Sequence, residues 1–521
     1  MSETSSPGRG FLWSTALVTL AAVLTKLVGF FRETAMAAAY GAGAVSDAFT
    51  TAFTVPGIVV SMVGASAAAA YIPVYYKVQG SEADKQRFAS NVINCAVTLG
   101  LVFTVVFTVF PQLLVYAFAS QYDAERFQLA SQFLRIVLLA SVPLLIVDIF
   151  RAHLQMDNKF FFASVIGAVS NLCIIPAILL SKRWDWLPML GVGTAVGYYL
   201  ILVALAARCR ANGMRYQLYV NPKDQDLRQL AHSMMPVILA VGIVEINQLV
   251  DRNFASWLPT GSVSCLNYAA RVSGMVTMLM GATLVTVLFP KMSKLAGDGD
   301  MDSVRRYLSE SIRKLFPILL PLTVGALLMS EPLIRLLFQR GEFTAEDTRC
   351  TAECLQMYAM GFFLNSVNPL LIRAFYAIRD TKTPALCSLG SVGFGVVVNL
   401  LLIGPLQHRG LALATSGAAL VSCILLNLTI RRKIGGLGLL RDIPEHVKTV
   451  AAAALMGGAV WVGRRFLPVM ESGSLMGAVY TLSLVLMGVV IYVAILTVTR
   501  TQFMRDVLGV IKSAARKRNS G

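Results

Sequence analysis

Charge is what this sequence has least of. Only 14% of its 521 residues are Asp, Glu, Lys or Arg, while 56% are hydrophobic. A soluble domain carries roughly 25% charged residues to cover its water-facing surface. A water-soluble fold is therefore excluded. Acids are scarcer than bases, 28 against 45, which leaves a net charge of +17. Such a surplus raises nucleic acid as a partner, but the basic residues alternate between loops instead of gathering on one patch, which argues against it. Histidine is nearly absent: His153, His232, His408 and His446 fit no metal or catalytic-triad spacing. The eight cysteines are scattered, mostly inside apolar blocks. Cys350 and Cys354 stand one helical turn apart, yet no histidine or second pair completes a metal motif around them, and they read as small packing residues. No P-loop, dinucleotide fingerprint or nucleophile elbow occurs, so the chain does not read as an enzyme. Nothing at the start reads as a cleavable signal, because the apolar run from Phe11 is too long for a signal core.

What the chain does have is apolar blocks of about 20 residues or more, the length that crosses a hydrocarbon layer roughly 30 Å thick. Fourteen spans are expected, at 11–40, 48–76, 88–118, 127–150, 160–181, 187–207, 229–256, 262–290, 307–329, 350–372, 384–404, 410–430, 447–463 and 476–499. The loops and tails on the N-terminal side of this topology carry 29 Lys and Arg, counting Lys448 at a span edge, against 9 on the other side. Positive charge stays in the cytoplasm, so both termini are expected there. The Arg516-Lys517-Arg518 cluster then reads as an orientation and headgroup signal.

The chain also repeats itself. Gly64-Ala65-Ser66, Pro73 and Lys77 recur as Gly281-Ala282-Thr283, Pro290 and Lys294 at a single offset of 217. Ile149-Phe150-Arg151-Ala152 is answered by Leu371-Ile372-Arg373-Ala374, and Asp157-Asn158-Lys159 by Asp380-Thr381-Lys382. The shift is six spans, an even number, so the repeats run parallel about an axis along the membrane normal. The expected fold is an all-α polytopic membrane protein with fourteen transmembrane helices, two pseudo-symmetric six-helix lobes plus two C-terminal helices. The expected divisions are an N-lobe at 1–210, a cytoplasmic linker at 211–228, a C-lobe at 229–432, and two last spans with a basic tail at 433–521.

Arg313 and Lys314, near the start of the ninth span, and Lys448, at the edge of the thirteenth, can reach the cytoplasmic interface; five basic residues lie deeper in spans: Lys26, Arg32, Arg135, Arg252 and Arg271. An ionised side chain at mid-membrane costs roughly 2.5–3.5 kcal/mol on insertion scales, so each needs a partner, water or a function. Counting from the outer span ends at ~1.5 Å per residue puts Arg32 and Arg271 at similar depth, about 12–14 Å in. Lys26 and Arg252 lie on the first helix of each lobe. Glu33 neighbours Arg32, but consecutive helical residues do not face each other, so Glu245 or Asp251 is the expected carboxylate partner if these bases are structural. Arg135, near a span edge, reads as interfacial. The alternative to ion pairing is a cationic, water-filled cavity for an anionic headgroup.

Ordered motifs now match a known family. Lys26-Leu-Val-Gly29-Phe-Phe-Arg32-Glu33, Tyr40-Gly41-Ala-Gly43, Ser46-Asp47-Ala48-Phe49, Ala52-Phe53 and Pro56 resemble the N-terminal signature of MviN/MurJ proteins in the MOP exporter superfamily. Asp251-Arg252, Gly261-Ser262-Val263-Ser264, Asn267-Tyr268-Ala269, Arg271, Phe289-Pro290, Gly341-Glu-Phe-Thr344 and Gly410-Leu-Ala-Leu-Ala-Thr415-Ser416 extend the resemblance over the whole chain. It implies a two-lobed carrier that alternates access and moves undecaprenyl-pyrophosphate-linked peptidoglycan precursor (lipid II) outward for cell-wall synthesis, together with cell-wall synthesis proteins as partners. Lys26, Arg32, Asp47 and Arg271 match cavity residues of the family, and Arg252 adds charge beside them. Lys26 stands where arginine is more usual, which keeps charge without the planar fork. Val60, Ala65 and Gly274 depart from charged family positions, which leaves open a flippase for another polyprenyl-linked polysaccharide or a non-transporting cell-wall scaffold. By resemblance to sodium-driven members, Asp251, Asn399, Thr415 and the Leu411 carbonyl match a sodium site, with Gly395 where a further side-chain ligand would be expected; the alternatives there are structural polar contacts or coupling to the membrane potential, and no other cofactor is implied.

Overall fold

A computed structural model describes residues 7–156, 167–438, 443–466 and 475–509. Asp157, Asn158, Lys159 and the Arg516-Lys517-Arg518 cluster lie outside them, as do the side chains of Ala282 and Thr283. The described residues are almost wholly helical and contain no strand. They divide into two compact units, Met1–Ser264 with Gly341–Phe343, and Cys265–Arg340 with Thr344–Gly521. This division follows contacts, whereas the expected lobes follow chain symmetry, so the two need not share boundaries.

The first unit holds α1 (Pro7–Tyr40), α2 (Ala44–Tyr75), α3 (Glu82–Val109), α4 (Pro111–Phe118), α5 (Ala124–Val137), α6 (Ser141–Met156), α7 (Gly167–Arg183), α8 (Met189–Ala211) and α9 (Gln225–Ala255). Polar caps set the starts. Asp123 accepts the Arg126 amide (2.8 Å) to begin α5, and Asp224 accepts those of Asp226 and Leu227 (2.9 and 3.2 Å) to begin α9. Each cap satisfies amides that the first helical turn leaves without partners. The single expected span at 127–150 is made of α5 and α6 joined through a 3-10 turn, Leu138–Ala140. The core sets Tyr71 on Phe88, ring centres 5.9 Å apart, among Val92, Ile149 and Leu205. A polar stripe on α3 binds the segment before α9. Ser90 accepts the Gln217 amide (3.0 Å), and Asn91 both accepts from and donates to the Asn221 backbone (2.8 and 3.0 Å).

The second unit holds most of α10 (Ser262–Gly297), then α11 (Met301–Phe338), α12 (Ala345–Ala359), α13 (Phe362–Ala377), α14 (Lys382–Ile434), α15 (Ile443–Phe466) and α16 (Leu475–Val498). Thr344 and Asp347 form a reciprocal capping box at the start of α12 (2.9 and 3.1 Å). Leu308, Ile312, Leu315 and Leu319 recur on one face of α11 and bury against Leu371, Phe375, Leu426 and Ile430. At 53 residues α14 would be ~80 Å long if straight, far more than one crossing needs. It breaks at Gln407 (φ 49°, ψ −128°), in the loop expected between the eleventh and twelfth spans.

Eight of the described helical segments are long and apolar enough to cross a membrane, α14 counted once. Helix α1 carries Lys26, Arg32 and Glu33 inside its apolar stretch. Leu99, Val102, Val105, Val106 and Val109 on α3 and Leu482, Leu486, Val489 and Val490 on α16 are exposed. In water such continuous apolar faces would be costly, whereas in lipid they meet their own kind. The chain is a multi-pass membrane protein.

Candidate functional site

Three motifs far apart in sequence meet at the C-terminal end of α1, all within the first unit. Gly41 and Gly43 bracket the turn into α2, and on its first turn sits Asp47, with no exposed surface. Both carboxylate oxygens are in use. Oδ2 accepts the Gly261 amide (2.7 Å), and Oδ1 accepts the Ser264 amide (2.8 Å) and hydroxyl (2.6 Å). The carboxylate therefore caps the start of α10, where unpaired amides and the helix dipole both favour negative charge. Gly261 is fixed by sterics: its φ is +91°, and a Cβ there would lie 2.2 Å from the Ala42 carbonyl oxygen. Gly341 repeats the arrangement (φ +62°), with a Cβ falling 2.1 Å from the Ala38 oxygen, while the Glu342 amide donates to that same oxygen at 3.0 Å. Glu342 also accepts from Lys182 at 3.0 Å.

Arg126 completes this junction. Its side chain is 6% exposed, bonded to Asp123 (2.8 Å), 3.6 Å from Asp47, and donates to the Leu258 carbonyl (3.3 Å). Tyr122 packs under the guanidinium at 4.7 Å and donates to the Asp47 carbonyl (3.2 Å). In the sequence Arg126 stands just ahead of the expected span 127–150. Its local signal was Asp123 three residues earlier, an N-cap able to hold the arginine on the first turn.

The intramembrane bases occupy different surroundings. Arg32 is buried among α1, α2 and α7. It donates to Asn171 (3.0 Å), pairs with Glu33, and lies 4.3 Å over the Phe53 ring. The neighbour that helical geometry seemed to exclude is thus its carboxylate partner, because a long guanidinium can fold back along its own helix when both groups are buried. Lys26 and Arg271 are exposed, and Arg252 is half-buried. Arg271 belongs to the second unit and the other three to the first. Asp251 accepts from Asn247 at 3.3 Å, and Glu245 from Gln248 at 3.0 Å. Asn399 is buried, and Thr415 donates to the Leu411 carbonyl at 3.1 Å. Val60 is buried, whereas Ala65 and Gly274 are exposed.

The family model for the lipid II flippase MurJ matches residues 36–499. The chain belongs to the MurJ lipid II flippase family. A probable lipid II flippase MurJ of Rhizobium meliloti is 29% identical to it over 84% of each chain. Another from Thermotoga maritima is 25% identical over 95% of this chain and 98% of its own. The fold matches a solved lipid II flippase MurJ in an inward closed conformation, with TM-score 0.81 at 22% identity, over 95% of this chain and 100% of that one. An inward-facing MATE family multidrug transporter of the MOP superfamily matches at TM-score 0.67 and 14% identity, over 81% of this chain and 98% of that one. Gly261 and Gly341 are backbone joints that admit no side chain, and Asp47 ties the first of them to the start of α2.

Proposed function

We propose that this chain moves lipid II across the cytoplasmic membrane by alternating access, with both termini in the cytoplasm and without covalent chemistry. The observation that carries this reading is the family match along nearly the whole chain, at near-full length in its relatives. A carrier moves cargo through differential affinity between its inward and outward states. The cargo's pyrophosphate is the group whose passage needs stabilising, and Lys26, Arg32, Arg252 and Arg271 are the cations assigned to it. Arg32 is suited to exchange partners, since its fork already holds a carboxylate and an amide oxygen, and a phosphate offers the same acceptor geometry. Asp47, assigned to the cavity by resemblance, has both oxygens committed to α10 and acts here as a cap. The polyprenyl tail stays in lipid throughout.

Sodium is the proposed coupling ion. Asp251, Asn399, Thr415 and the Leu411 carbonyl are hard oxygen donors, the type this ion takes. A bound sodium would supply one positive charge near Asp251, whose carboxylate is the only one in the set. Flipping that proceeds equally with potassium or choline in place of sodium would refute the coupling.

The decisive test of the cargo is complementation. The chain should sustain growth when a host's own lipid II flippase is depleted; lysis at normal membrane abundance would point instead to another polyprenyl-linked polysaccharide or to a scaffold. A periplasm-only reporter active when fused after Gly521 would overturn the orientation.

A further inference from the structure

Helices α15 and α16 lie beyond the repeat found in the sequence, and the transport reading gives them no task. The start of α15 and the segment after α16 close a cavity of about 320 Å³ against α11, all within the second unit. One face of α11 supplies Arg306, Glu310, Arg313, Lys314 and Pro317, which recur at helical spacing. The first turn of α15 adds Glu445 and His446, and the short helix at 502–509 adds Phe503 and Asp506. These walls are tied together. Glu445 Oε2 accepts the Gln502 amide (2.9 Å), which anchors the start of the short helix, and Phe503 and Met504 pack on Met456, Tyr492 and Leu496. Tyr492 donates to the Pro317 carbonyl (2.6 Å), and the His446 ring stands edge-on to Phe316 with centres 5.0 Å apart.

Charge selects the class of ligand. The lining balances Arg306, Arg313 and Lys314 against Glu310, Glu445 and Asp506. Lys314 stands between Glu310 (2.7 Å) and Asp506 (3.8 Å), whereas Arg306 and Arg313 donate to hydroxyls, those of Ser303 (3.1 Å) and Ser309 (3.0 Å). An anion alone would bring its charge against the carboxylates, and a cation alone against the guanidiniums. A zwitterion gives each wall its opposite sign: phosphate suits the guanidinium forks, and a primary ammonium can donate to the carboxylates beside Lys314. The setting selects a lipid. Helix α11 is long and apolar enough to cross the membrane and carries the cavity near its start. Ile443, Val447 and Val450 on α15 are exposed beside it, an apolar strip that acyl chains would cover. Small-molecule sites begin at roughly 300 Å³, so the cavity has room for a headgroup while the chains remain outside.

We propose that this cavity binds the headgroup of a phospholipid that carries both a phosphate and a primary amine, a phosphatidylethanolamine. The phosphate meets Arg306 and Arg313, the ammonium meets Glu310 and Asp506, and the acyl chains lie along α15. The lipid is not cargo; it holds the last two helices against α11. Its leaflet, the inner one, rests on the orientation proposed above, whereas the binding itself does not.

The test is native mass spectrometry of the full chain, released from detergent micelles loaded with equal amounts of dioleoyl phosphatidylethanolamine, phosphatidylcholine and phosphatidylglycerol. The three share a phosphate and acyl chains and differ in having a primary ammonium, a trimethylammonium or no cation. A preference of about tenfold for the ethanolamine lipid over each of the others is expected, equivalent to ~1.4 kcal/mol, as one charge-assisted hydrogen bond would give. Glu310→Gln combined with Asp506→Asn should erase that preference, and Arg306→Gln should weaken all three lipids alike. Should the double variant fail to fold, Asp506→Asn alone, at an exposed residue, must lower the preference. Equal binding of the ethanolamine and choline lipids, stronger binding of phosphatidylglycerol, or a preference that survives loss of the acids would each overturn the proposal. Soluble glycerophosphoethanolamine at the same concentration should not displace the lipid; displacement would show that the cavity takes a free headgroup, and the lipid assignment would fall. Micelles have no sides, so none of these outcomes depends on where the termini lie, which the reporter after Gly521 tests separately.

Discussion

Replacing Asp47 with alanine removes the acceptor for the Gly261 amide, the Ser264 amide and the Ser264 hydroxyl at one stroke. The hydroxyl can turn to another acceptor, but the two amides cannot move without unwinding the start of α10. A buried donor left without a partner costs about 1–3 kcal/mol, so two of them give about 2–6 kcal/mol. Arg126 adds to this by losing a carboxylate 3.6 Å away, though Asp123 still neutralises it. Because single-site effects above about 4–5 kcal/mol are exceptional, the working expectation is about 3–4 kcal/mol. Asp47→Asn keeps one carbonyl oxygen, enough for Ser264, and turns an N–H group towards the Gly261 amide; about half the loss is expected. Ser264→Ala deletes one hydrogen bond to a charged acceptor, about 1.5–3 kcal/mol. The assay is reversible unfolding in detergent, read beside abundance in the membrane, with stability expected to fall in the order wild type, Asn, Ala. If Asp47→Ala unfolds at the wild-type midpoint yet abolishes transport, Asp47 is a headgroup ligand and the cap assignment is wrong.

The remaining predictions concern charge, sterics and pH. Arg32→Ala should cripple flipping and also lower abundance, because it removes the cation paired with the buried Glu33, whereas Arg271→Ala should cripple flipping at normal abundance; lysine should be partly tolerated at either site because charge survives without the fork. Normal flipping by the double alanine variant would remove both from the cargo site. Gly261→Ala and Gly341→Ala should each lower abundance at any cargo concentration, since the left-handed backbone alone costs about 1–2 kcal/mol and the added Cβ meets a carbonyl oxygen; wild-type levels of both would contradict the joint described at α1. Asp380, between α13 and α14, is pushed up by burial, but the ammonium of Lys433 (2.5 Å) and the hydroxyl and amide of Thr383 outweigh that and hold it at about 2, below its ordinary 3.8. A depressed acid stabilises the fold above its unfolded value and loses that contribution as pH falls through the folded one. The stability gap between wild type and Asp380→Asn should therefore close between about pH 4 and pH 2; a gap that is constant over this window would show that the pairing is not electrostatic.

How much was legible beforehand depended on how local each cause was. Helices, their membrane setting and the break near Gln407 could be read directly, because hydropathy reports where a stretch of chain partitions and needs no knowledge of its neighbours. The glycine motifs could also be located in the sequence. Why they are glycine could not, since Ala42 and Gly261, or Ala38 and Gly341, approach only after long loops have closed. The same limit separates Asp47 the expected ligand from Asp47 the cap, whose partners lie more than 200 residues downstream. For Arg32 the local rule itself misled: neighbouring helical positions diverge at Cβ, but burial among α1, α2 and α7 turns the long side chain back onto Glu33. A sequence fixes which segments leave water, through a free energy each residue carries with it; which side chains then face each other depends on closing the chain between them, and that only the tertiary structure decides.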